Sequence, residues 1–84
     1  MRDAIARRLK ELRENHKLTQ WELSQLLNMS DSYIAHMEMG RRKPCLKVAF
    51  KLEKVLKLKP GEFSYHLINT IREEAEKELL ADSI

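Results

Sequence analysis

The chain has 84 residues, enough for one small core that buries roughly 60% of the unfolded surface. Charged residues make up 35% and aromatic residues 6%, and the single cysteine excludes an internal disulfide. No apolar run reaches signal-peptide or membrane-spanning length, so a stapled secreted scaffold and a membrane protein are both disfavoured and an all-α cytoplasmic protein is expected.

In chain order, Ile5, Leu9 and Leu12 recur at i, i+4 and i+7. They predict a first helix over about residues 4–15, with Asp3 as its N-cap. The stretch LTQWELSQLLN follows. Thr19 with Glu22 three residues on satisfies a capping box, Leu23, Leu26 and Leu27 supply the buried face, and Asn28 suits the left-handed turn that ends a helix of about eight residues. Ser30 is a second N-cap, Ile34 and Met37 are the apolar pair of a third helix, and Gly40 closes it. Two short helices joined by about three residues must cross steeply and use the first helix as a floor, which is a helix-turn-helix outline.

Arg41, Arg42, Lys43 and Pro44 then keep the chain extended. Leu46, Ala49, Phe50, Leu52, Val55 and Leu56 mark a fourth helix. Beyond LKPGEF, the residues Phe63, Leu67, Ile68, Ile71, Ala75 and Leu79 recur every three or four positions. This predicts a long amphipathic C-terminal helix, or two shorter ones kinked near Ser64. The expected core consists of Ile5, Leu9, Leu12, Leu23, Leu26, Leu27, Ile34, Met37, Leu46, Phe50, Leu52, Leu56 and Phe63. Ile68, Ile71, Ala75 and Leu79 are surplus to it and form a stripe suited to a facing helix.

Charge divides the chain at the same place. Residues 1–63 carry 14 Lys and Arg against 8 Asp and Glu, a net of +6, whereas residues 64–84 carry 2 against 5, a net of −3. The basic part suits a phosphate backbone and the acidic tail does not. The chain is therefore divided into a basic helical domain over residues 1–63 and a helical extension over 64–84 whose apolar stripe suits dimerisation.

The segment over residues 5–63 resembles the phage-repressor and Cro type of helix-turn-helix domain, the XRE family. The likeness rests on Leu12-Arg13, Leu18-Thr19-Gln20, Leu23, Ser30, Tyr33-Ile34, Glu38, Gly40, Pro44, Leu46 and Leu56 at their spacing. A narrower and weaker likeness is to the controller proteins of restriction–modification systems. The family implies a five-helix DNA-binding domain that usually works as a dimer, so residues 1–63 are read as the DNA-binding domain of an all-α chain of five or six helices. By resemblance, Asp31, Ser32 and His36 match base-contacting positions, and Tyr33 and Gln20 lie near the DNA backbone. Arg13 and Glu38 match a structural ion pair between the first and third helices. Just past the third helix, Arg41, Arg42 and Lys43 stand where phosphate contacts are needed. Lys17, Asn28 and Lys57 replace glycines frequent in the family. Glu53 replaces a small apolar residue, which suggests a rim or a partner contact.

His16, His36 and His66 with Cys45 show no metal-ligand spacing, so neither a metal nor a cofactor is expected. The sequence has no nucleophile elbow, P-loop or paired acid, which argues against an enzyme. The leading expectation is a homodimeric, sequence-specific transcription regulator acting on a roughly palindromic operator. Two alternatives remain: an antitoxin that binds both DNA and a toxin protein, and a protein-interaction module that has lost DNA binding.

Overall fold

The computed structural model describes residues 4–82, and within them five helices. They are α1 (Ala4–Asn15), α2 (Gln20–Leu27), α3 (Asp31–Glu38), α4 (Leu46–Val55) and α5 (Ser64–Asp82). Asp3, the expected cap of α1, lies outside the described residues. The C-terminal segment is a single helix with no kink at Ser64, and residues 60–63 form the turn that leads into it. None of these helices is long and apolar enough to cross a membrane.

The predicted starts of α2 and α3 hold. Thr19 Oγ1 accepts from the Glu22 amide at 3.0 Å and Glu22 Oε1 accepts from the Thr19 amide at 2.8 Å, closing the capping box of α2. Ser30 Oγ accepts from the Tyr33 amide at 3.2 Å at the start of α3.

Four helix ends share one solution. After α1, α2, α3 and α4 the chain places Lys17, Asn28, Gly40 and Lys57 in the left-handed region, with φ of 56°, 56°, 77° and 55°. In each case the next amide reaches back to the helix. Leu18 donates to the Arg13 carbonyl, Met29 to Ser24, Arg41 to His36 and Leu58 to Glu53, at 2.8–3.1 Å. Leu18, Met29 and Leu58 then pack against the core. Burial of these next residues stabilises the unusual conformation where no glycine supplies it.

The core joins all five helices. Ile5, Leu9 and Leu12 of α1, Leu23 and Leu27 of α2, Ile34 and Met37 of α3, Ala49, Leu52 and Leu56 around α4, and Phe63 and Leu67 are buried together. Two expected members are not there: Leu26 is 50% exposed and Phe50 is 51% exposed. Each successive residue turns about 100° around a helix. Because α2 buries Leu23, Ser24 and Leu27, Leu26 swings outward; because α4 buries Ala49, Leu52 and Glu53, Phe50 does the same. Leu46 is only partly buried.

Glu53 requires the larger correction. It faces neither a rim nor a partner but is 5% exposed, and its carboxylate receives amides from Gly61 at 3.0 Å, Phe63 at 2.8 Å and Ser64 at 2.6 Å. The first amides of any helix lack partners within it. Here α4 supplies them to α5 with a negative charge at the favourable end of the helix dipole. Burial opposes ionisation of Glu53, but the Ser64, Gly61 and Phe63 amides together outweigh it and hold the carboxyl below its ordinary value.

Candidate nucleic-acid interface

The third helix owes its position to an ion pair. Arg13 Nε donates to Glu38 Oε2 at 2.6 Å and Arg13 Nη2 to Glu38 Oε1 at 3.0 Å, a two-pronged contact between α1 and α3. Its side chains are 12% and 4% exposed. Arg13 Nη1 also donates to the Leu18 carbonyl at 2.7 Å, and Gln20 Nε2 donates to Glu38 Oε1 at 3.2 Å. One carboxylate thus fastens α3 to the end of α1 and the start of α2. Donation to Glu38 holds the Arg13 guanidinium above its already high ordinary value.

With Ile34, Met37 and Glu38 turned inward, α3 presents Asp31, Ser32 and His36 to solvent, with Ala35 half-buried between them. Tyr33 flanks this face and packs partly against the core. The Arg42 guanidinium lies over the Tyr33 ring, 5.3 Å from its centre, in the range of a cation–π contact. The Arg41 and Arg42 amides both donate to the His36 carbonyl, at 2.9 and 3.3 Å, so the basic loop leaves α3 in a fixed direction. Buried Pro44 anchors its far end.

Two expected DNA contacts are otherwise engaged. The Gln20 side chain turns inward to Glu38, which leaves its main chain at the exposed start of α2. Lys43 Nζ donates to Glu74 Oε1 of α5 at 2.9 Å. The structure thus brings Asp31, Ser32, Tyr33, His36, Arg41 and Arg42 onto one surface and hands Lys43 to the tail.

Two residues stand out that the sequence pattern did not single out. Trp21 is 60% exposed on the first turn of α2, beside Gln20. Lys51 Nζ donates to the Leu27 carbonyl at 3.3 Å, a cation at the negative end of α2 that ties it to α4. Helix-terminal capping by a lysine from another helix leaves no local sequence signal.

Ile68, Ile71, Ala75 and Leu79 lie along α5, and every residue from 71 to 80 is exposed. The distal helix therefore does not fold back onto its own core. Among the described residues no group of three His, Cys, Asp or Glu could hold a metal ion.

The helix-turn-helix family model matches residues 9–63, which span α1 from Leu9 through the turn before α5. The chain belongs to this family, in its XRE type. It is a DNA-binding helix-turn-helix regulator. Among solved structures it is similar to the restriction–modification controller protein C.AhdI from Aeromonas hydrophila, at 34% identity and a TM-score of 0.65, over 70% of this chain and 89% of that one. No relative was found among curated proteins. Helix α5 of the regulator lies beyond the family match.

Proposed function

We propose that this regulator acts on transcription in the cytoplasm as a homodimer that recognises a specific, roughly palindromic operator. The observation that carries the reading is the outward face of α3. Asp31, Ser32 and His36 project from a helix locked by Arg13 and Glu38, with Arg41 and Arg42 immediately past its end. In the bound state the α3 side chains read base edges in the major groove. Arg41, Arg42 and the main-chain amides at the start of α2 hold phosphates. Arg42 is held against Tyr33, so its charge reaches the backbone with little further ordering.

Two copies are needed because one short recognition helix contacts too few bases for useful specificity. The partner surface in this reading is the apolar face of α5, Ile68, Ile71, Ala75 and Leu79, extended at its inner end by exposed Tyr65. The similarity to a restriction–modification controller supports a regulatory role of the same kind.

Selection of bound sites from random duplexes tests symmetry, spacing and specificity together. Two inverted half-sites about one helical turn apart, near 34 Å, are expected. An Arg42→Ala chain should select the same sequence while its log–log salt slope falls by about 0.9, the share of a single phosphate. Failure to enrich any sequence, or enrichment of a single unpaired half-site, would overturn the proposal.

A further inference from the structure

The basic loop and the acidic tail meet at Lys43 and Glu74, 2.9 Å apart, with side chains 52% and 57% exposed. Lys43 precedes buried Pro44, and Glu74 lies seven residues beyond buried Leu67, on the same side of α5. The packing that seats Leu67 therefore carries Glu74 toward the loop. That placement sets a carboxylate against a lysine at the edge of the DNA-binding surface.

We propose that Glu74 is an intramolecular competitor for phosphate at Lys43, so that α5 sets the strength and salt response of DNA binding. This rests on the DNA-binding reading above and adds to it a function for a helix that lies beyond the family match. For Lys43 to hold a phosphate, either the carboxylate must leave the ammonium or two anions must crowd it. Either outcome lowers affinity. An exposed ion pair is a weak competitor, so the effect is tuning, on the order of two- to fivefold, and not an on–off switch. Salt screens the internal pair as well as the external one, which makes the competition strongest at low ionic strength.

Glu76 supplies a control, because two residues further along a helix points to its other side. The full chain is titrated onto a labelled duplex across a range of salt, as wild type, Glu74→Gln, Glu76→Gln, Lys43→Ala and the Lys43→Ala/Glu74→Gln pair. Sedimentation of each variant separates altered association from altered DNA contacts. Glu74→Gln should bind about two- to fivefold tighter at low salt. That gain should shrink as salt rises, exceed the gain from Glu76→Gln, and vanish when Lys43 is already alanine. Weaker binding by Glu74→Gln would mean that the carboxylate positions Lys43, and would overturn the proposal. So would an equal gain from Glu76→Gln or in the Lys43→Ala background, since net charge alone would then suffice. A wild-type chain that fails to bind duplex even at low salt would overturn the DNA-binding reading itself, a result distinct from either of these.

Discussion

Glu53 and Asp31 are both carboxylates near a helix start, and their surroundings give them different work. Glu53 is buried and takes three amides at the entry to α5. Its folded pKa lies below the ordinary value, so its contribution to stability is complete above the unfolded carboxylate value and is lost as pH falls through the folded one. Glu53→Gln places an amide donor against amide donors and should cost about 1–3 kcal/mol at pH 7. In denaturant titrations the gap to wild type should stay level from neutral pH and close only below the ordinary carboxylate range. Asp31, by contrast, is exposed on the first turn of α3. There it suits the helix dipole, and in the major groove it can accept only from the amino group of cytosine or adenine. Asp31→Ala should tighten non-specific binding and relax base preference at one operator position, both read by site selection. An unchanged site with unchanged affinity would leave Asp31 as a helix-start residue alone.

Among the helices, those that place α3 end on the same left-handed motif, yet only the end of α3 uses glycine. Gly40 is followed by exposed Arg41, which no core contact holds in place, whereas Lys17, Asn28 and Lys57 are each followed by a residue packed against the core. A left-handed lysine costs roughly 1–2 kcal/mol relative to the right-handed form, partly offset by the extra freedom glycine has when unfolded. Lys57→Gly should therefore raise stability by about 0.5–1 kcal/mol in thermal or denaturant unfolding. DNA binding should be unchanged, since Lys57 sits at the end of α4. A decrease in stability would show that the lysine side chain makes a contribution larger than its backbone strain.

For the whole molecule, five of the nine exposed large apolar side chains among the described residues, Tyr65, Ile68, Ile71, Leu79 and Leu80, lie on α5. Ile68 is 36% exposed, Ile71 46% and Leu79 69%, while Leu67 is buried. The inner turns of α5 thus serve the core with one face and leave the other exposed, where the proposed dimer would bury it. Ile68→Glu with Ile71→Glu should leave a folded monomer, because neither side chain is part of the domain's own core. Sedimentation should show loss of the dimer, and operator affinity should fall while circular dichroism stays helical. A double variant that sediments as a dimer and binds the operator normally would eliminate this interface.

Local chemistry was enough to define most of the chain. The capping box at Thr19 and Glu22, the Ser30 cap, Asn28 and Gly40 act over three or four residues, and the short helices they bound leave little freedom for Ile34 and Met37 except inward. The outward face of α3 follows from those two residues alone. Arg13 and Glu38 were paired only through the family likeness, since no local rule joins residues 25 apart. What periodicity could not settle was which edge of a broad apolar stripe faces in. Leu26 and Phe50 fit their helices' patterns as well as Leu23 and Leu52 do, and only the packing of α2 and α4 against their neighbours decides between them. Glu53 is the sharper case. A carboxylate on an apolar helix face reads as a solvated edge until the start of α5 arrives with unpaired amides, and that arrival is a property of the tertiary fold.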